Sequence, residues 1–431
     1  MLYPLKSTLK LLLIQKLAPF KIEGLSLVLQ PVKKPVGHIA SFFRIASFLV
    51  ALLGFSVHTK GQLNLTYDLK KPKAYENRKL KSELTPDKKI NPVKKMKENV
   101  VAHYNFYFNA NNKLQNVINS AKKAHKDSFN RPLSFYNFTL DQTAAQKQEL
   151  DSVIHKANNG ILLHDLRNDW VDDLYLLMGQ AYFYQKKFDS AYDVFQYINY
   201  TFQPRTKDEI GLEKTIGSNL NAGGNIYTVS TKESGLTNTN AARNDALVWI
   251  VRTLLAQDND DEAKSLMETL FRDRNFPKRL QDELKEQKAY FFYKKNQADS
   301  CAHYLEQSMD ATSNSIEKAR RYFLIAQLKT STGQKESAND FFDKAINSTT
   351  DPVMEAYARI YQVALISNEE DLEKRTDEQV SLLLRMANRE KYLSYQSIIY
   401  NAAAEMEMGR KQTKAAIALL LKSNAANTDD P

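Results

Sequence analysis

The chain has 431 residues, 43% hydrophobic and 10% aromatic, with only 13 glycines and 12 prolines, a supply of turn residues too thin for a turn-rich β architecture. Its formal charge of +10 is uneven: residues 1–100 hold 19 Lys/Arg against 6 Asp/Glu, and the remainder holds 41 against 44. The near-neutral remainder does not read as a nucleic-acid binder, and the single cysteine, Cys301, excludes an intramolecular disulfide or a cysteine-based metal centre within one chain.

Residues 1–57 read as a leader with a signal-like apolar segment. The run from Ile45 to Val57 carries no charge and follows Lys33, Lys34 and Arg44. Thirteen residues are too few to span a bilayer comfortably as a helix, and fit the apolar core of an export signal. A retained membrane anchor and a buried helix are the open alternatives. Residues 58–95 are lysine-rich and interrupted by prolines. They read as a basic linker, extended or disordered, either a solvated tether or an arm on an anionic membrane or partner.

A helical body is expected over 96–431. Val100, Tyr104, Tyr107, Phe108, Leu114, Val117 and Ile118 recur at helical spacing, with Asn109 and Asn111 placed to end a first helix. Residues 127–141, with Pro132, read as a loop, and Ala144 to His164 as a helix.

Residues 170–204 carry the strongest pattern. Counted from Asp172, small or aromatic residues fall at Gly179, Tyr182, Ala191 and Phe195, and Pro204 closes the unit. That is the tetratricopeptide spacing, in which small residues let two antiparallel helices cross and rings fill the seam. Asp189 is placed to cap the second helix. One such pair cannot bury its own apolar face, so further copies are expected.

Residues 205–243 interrupt the array with a Gly-, Asn-, Ser- and Thr-rich insert. So long a loop inside a solenoid is commonly functional or disordered, and lies on one face. Gly217, Ser218 and Asn219 are therefore candidate partner contacts, and a hairpin over Ile226–Ser230 is compatible with the β-branched residues there. The count then resumes with small residues at Ala263, Ala289, Cys301, Ala326, Ala338, Ala404 and Ala416, and residues 353–366 with 370–389 form a divergent pair. The array is expected to be the front part of a longer one.

Phosphate-loop, zinc-protease and serine-hydrolase motifs do not occur. Cys301 and His303 would point to different faces of a helix, and Asp172–Asp173 reads as a helix N-terminal charge pair. No cofactor, metal or catalytic residue is indicated. Repeat arrays bind through first-helix positions, here Asp173, Leu176, Gln180, Phe183 and Tyr184, and later Arg320, Phe323, Gln327, Thr330 and Ser331. Leu176 and Phe323 do not suit a clamp for a peptide carboxylate. An aromatic and amide-lined groove remains, with Gln180, Phe183, Tyr184, Arg320 and Gln327 as candidate partner-binding residues, each of which could equally pack against a neighbouring helix.

Several stretches resemble a known family. HYNFYFNANNKL at 103–114, the repeat at 167–204, IGSNLNAGGNIYTVSTKE at 216–233, RNDALVWIVRTLLA at 243–256, the segment 276–309 and DPVMEAYARI at 351–360 closely resemble the SprE/PorW lipoproteins of Bacteroidetes type IX secretion and gliding motility. The resemblance covers roughly 96–431, and the insert is its most diagnostic part. It implies an exported, outer-membrane-associated periplasmic scaffold linking an inner-membrane motor to an outer-membrane translocon. The family's lipid-anchor cysteine has no counterpart between Val57 and Cys301. The expectation is an all-α tetratricopeptide-like α-solenoid with a long loop insertion and a disordered N-terminal arm. It would be a non-enzymatic binder of proteins, with no nucleic acid and with membrane association through the N-terminus. A repeat adaptor unrelated to secretion is the alternative, and an enzyme attached to a repeat array is a third class.

Overall fold

A computed structural model describes residues 69–85, 89–203, 229–233, 242–312, 314–365 and 369–427. The leader, the expected hairpin apart from its last two residues, and Gly217, Ser218 and Asn219 lie outside them. The described residues are all-α, an array of antiparallel helix pairs of tetratricopeptide type, with no strand among them.

The first rod comprises α1 (Pro92–Val101), a π-helical stretch (Ala102–Tyr107) and α2 (Phe108–Ala124). Asn91 starts it, its side chain accepting from the Lys94 amide, and Pro92 supplies a preset φ at the first helical position. The helical body thus begins at Pro92, not Met96. Asn109 and Asn111 do not end a helix: Asn109 donates back to the carbonyls of Tyr104 and Asn105, and the rod continues to Ala124.

The expected helix from Ala144 to His164 is present from Lys147 to Leu162, with a separate short helix before it. A short α3 (Leu140–Ala144) is fixed by a capping box between Thr139 and Gln142, and α4 (Lys147–Leu162) follows. Then come α5 (Val171–Tyr184), α6 (Phe188–Thr201), α7 (Ala242–Ala256), α8 (Asp260–Arg272), α9 (Gln281–Lys294), α10 (Ala298–Gln307), α11 (Ser315–Ser331), α12 (Lys335–Ser348), α13 (Pro352–Ala364), α14 (Glu369–Ala387), α15 (Gln396–Gly409) and α16 (Thr413–Ala426).

The repeat shows most clearly in its turns. Lys186, Asp258, Asn296, Gly333 and Lys411 each have a φ between 55° and 76°. After each, the next amide donates to the carbonyl five residues back: Lys187 to Tyr182, Asn259 to Leu254, Gln297 to Phe292, Gln334 to Lys329 and Gln412 to Glu407, all at 2.9 Å. This closure satisfies an end carbonyl and reverses the chain. It occupies the place where Asp189 was expected to cap. Asp189 instead lies one residue inside α6 and accepts from Gln257 Nε2.

Small residues sit at the crossings. A methyl group on Gly179 would fall on the Phe195 ring, which is itself fully buried. Ala191, Ala289, Cys301, Ala326, Ala338, Ala404 and Ala416 are all buried, and Tyr182 packs partly covered against the first core cluster. Burial pushes the Cys301 thiol up to about 12, so it is a packing residue rather than a nucleophile.

The described part of the basic linker is packed. Leu80 is buried, Ser82 Oγ donates to the Leu162 carbonyl at 2.8 Å, and Asn158 Nδ2 donates to the Lys70 carbonyl at 2.9 Å. Glu98, buried under this stretch, pairs with Lys81 at 2.8 Å and His164 at 2.7 Å. Burial raises the Glu98 carboxyl, and those two partners more than offset it. Leu80 is one apolar residue in a polar run, which is why composition alone pointed to a free linker.

Candidate functional site

The loop between α2 and α3 is the chain's most specific non-helical feature. Residues 125–138 hold no helix, yet Phe129, Leu133 and Phe135 are buried. They lie as a strap along the first helices α9 and α11, forming part of the second core cluster with α10, α12 and α13. Phe129 packs edge-on to Phe323 at 5.2 Å between centroids, and Phe135 lies 5.2 Å from Tyr290 and 5.6 Å from Tyr293.

Polar groups on the same helices read the strap's backbone. Gln327 Oε1 accepts from the Leu133 amide at 2.9 Å, and its Nε2 donates to the Arg131 carbonyl at 2.8 Å. Tyr293 donates its hydroxyl to the Leu133 carbonyl at 2.9 Å. The Arg320 guanidinium forks onto Asp127 at 2.7 and 2.8 Å and reaches the carbonyls of Ser134 at 2.8 Å and Phe135 at 3.0 Å. Burial would raise the Asp127 carboxyl; the Arg320 fork outweighs it and holds the group below its ordinary value, with His125 adding to the effect. Two of the candidate partner-binding residues, Arg320 and Gln327, are thus engaged by the chain itself.

The same device recurs at the end of the insert. Asn244 Oδ1 accepts from the Thr231 amide and Asn244 Nδ2 donates to the Thr231 carbonyl, both at 2.9 Å. Buried Arg243 donates to Thr231 Oγ1 at 2.8 Å and to the Asn199 carbonyl at 2.9 Å. Arg279 bridges Glu233 at 2.8 Å and Asp245 at 2.5 Å. In both places a side-chain amide on a first helix pairs with a backbone N–H and a backbone C=O of a non-helical segment.

Beside the strap an open cavity of about 370 Å³ is lined by Tyr136, Gln180, Tyr184, Trp249, Arg252 and Glu283, among others. Arg252 stacks over Trp249 at 4.8 Å and Tyr136 at 5.1 Å. Of the other candidates, Gln180 and Tyr184 both line this cavity, whereas Phe183 does not; Phe183 and Tyr184 are only about 4% exposed and pack against each other and Trp249. Sequence reasoning missed Asp127, Tyr293, Asn244 and Arg252. The available signal was the aperiodic apolar set Phe129, Leu133, Phe135, Tyr136 and Phe138 in a segment otherwise marked as loop.

Asp172 and Asp173 sit in the first turn of α5, as a helix-dipole pair would. They are more enclosed than a surface pair: burial raises both carboxyls, and for Asp173 the Asp172 and Asp245 charges raise it further. Asp172 Oδ2 is buried without a hydrogen-bond partner among the described residues.

No protein-family model and no curated protein matches the chain. Among solved structures, the C-terminal part of a TPR repeat-containing protein from Cytophaga hutchinsonii aligns with 68% of this chain and 95% of that one, at 11% identity and a TM-score of 0.41.

Proposed function

We propose that this chain is a non-enzymatic protein-interaction scaffold whose first-helix faces read extended peptide segments. We place it in the periplasm, associated with the outer membrane, within the type IX secretion and gliding machinery. One observation carries the reading of the faces: Arg320, Gln327 and Tyr293 hold residues 127–135 by their backbone as well as by their side chains. Such main-chain recognition with pockets for alternate side chains is how extended peptides are bound. The strap fills the faces of α9 and α11. The cavity beside it, with Gln180 and Arg252, is left open to a partner's side chain. The resemblance of 103–114, 167–204 and 216–233 to SprE/PorW proteins supports the placement in secretion. The insert, including Gly217, Ser218 and Asn219, is the second proposed partner contact.

The test is crosslinking with mass spectrometry on a genomically tagged copy in cells, together with N-terminal sequencing of the mature protein. Recovery of motor and translocon components, with a processed terminus near residue 57, is expected. An unprocessed chain crosslinked only to soluble cytoplasmic proteins would refute the placement.

A further inference from the structure

The first rod leaves a continuous apolar stripe uncovered. Val93 is 75% exposed, Met96 67%, Val100 49%, Tyr104 60% and Phe108 49%. Their spacing of three or four residues puts all five on one side of a helix, over about 22 Å at 1.5 Å per residue. The opposite side is the packed one: Glu98, Ala102 and Ala110 are buried. Isolated exposed apolar residues are ordinary on a surface; five in one line are not.

The exposed charge on α1 has one sign, because its one acid, Glu98, is buried. Lys95 and Lys81 turn inward to Asp169 and Glu98. Lys89, Lys94 and Lys97 are exposed and make no ion pair among the described residues. In the packed stretch before the rod Lys70, Lys73, Arg78 and Lys79 are exposed too, alongside the acids Glu76 and Glu83. An apolar stripe with two aromatic rings, flanked by lysines, has the composition of a helix lying in a membrane interface. Its apolar side enters the headgroup boundary and its cations meet anionic lipid.

We infer that the face of α1 and its continuation marked by Val93, Met96, Val100, Tyr104 and Phe108 is a docking surface for an anionic lipid bilayer, lying in the plane of the membrane. The inference goes beyond the scaffold reading and does not depend on it. A chain that reads peptides need not touch lipid, and a chain that touches lipid here need not read peptides. It also differs from anchoring by residues 45–57, because it concerns where the helical body rests.

The test places an environment-sensitive fluorophore on the stripe of the full-length chain, through Met96→Cys in a Cys301→Ala background. A control probe is placed at Ser120→Cys, exposed near the far end of α2. Vesicles of phosphatidylcholine alone are compared with vesicles containing 30% phosphatidylglycerol. The expected result is a blue shift at position 96 with the anionic vesicles, little shift with the neutral ones, and none at position 120. Replacing Lys89, Lys94 and Lys97 together by Gln should raise the anionic lipid needed for half the shift by on the order of 100-fold, at about fivefold per lysine.

A position-96 probe that stays in water with anionic vesicles overturns the proposal, even if the chain co-sediments through its N-terminal run. Equal shifts at 96 and 120 overturn it as well, since they report general insertion or unfolding. A shift without vesicles that grows with protein concentration assigns the stripe to a second copy of the chain instead.

Discussion

Asp172 shows what a single residue can reveal that spacing does not. By position it is a helix N-terminal acid, which is how the sequence presents it, and it does sit in the first turn of α5. Its surroundings change its role. Burial raises its carboxyl, one oxygen lacks a partner among the described residues, and Asp169 adds repulsion; beside it, burial, Asp172 and Asp245 raise Asp173, against Arg279. Both carboxyls of the pair are raised above their ordinary range, so the folded chain retains protons that the unfolded chain releases. Stability should therefore fall as pH rises from the carboxylate range towards neutrality. We expect the thermal midpoint to be lower at pH 8 than at pH 5, and Asp172→Asn to shrink that difference by on the order of a few degrees. Parallel pH profiles for the two proteins would contradict this.

The turns carry the repeat more faithfully than the helices do, yet their sequences are Lys, Asp, Asn, Gly and Lys at the left-handed position. Asp258, Asn296 and Gly333 are types that favour the left-handed region, but Lys186 and Lys411 are not, and there the geometry is imposed by the two helices each turn joins. The crossings are the opposite case. Gly179, Ala191, Ala326 and Ala338 could be picked out beforehand because any larger side chain there strikes the partner helix, as Phe195 does above Gly179. Gly333 isolates the cost of turn geometry: a methyl group there would meet nothing within 4 Å, while its φ is +76°. Gly333→Ala should destabilise the chain by about 1 kcal/mol through backbone strain alone. A neutral result in chemical denaturation would show that this turn relaxes freely.

The strap was visible beforehand only as a loop with too many apolar residues. Which helices would receive it could not be foreseen, because Asp127 and Arg320, or Leu133 and Gln327, are nearly 200 residues apart. Only the packed array brings them together. Gln327→Ala removes the acceptor for the Leu133 amide and the donor to the Arg131 carbonyl. Hydrogen exchange at the Leu133 amide should then rise at least tenfold, while amides in α12 keep their protection. Unchanged exchange at Leu133 would mean the apolar anchors alone hold the strap.

At the scale of the whole molecule, the first helices α5, α7, α9 and α11 each contribute side chains to the lining of one cavity. The strap joins the α2 end of the array to α11, and the insert's described end is fixed between α7 and Arg279, just before α9. The strap and the described end of the insert thus act as internal ligands of the chain's own helices. If these faces are general readers of extended peptide, they should accept one supplied from outside once the internal occupant is weakened. A fluorescent peptide of residues 125–139 added to a full-length chain carrying Phe129→Ser and Leu133→Ser measures this directly by polarisation. Saturable binding to that variant, much weaker binding to the unaltered chain, and loss of binding when Arg320→Ala is added are the expected results. No saturable binding to a variant that retains its helical circular dichroism would contradict the peptide-reading role and leave the strap as fixed internal packing.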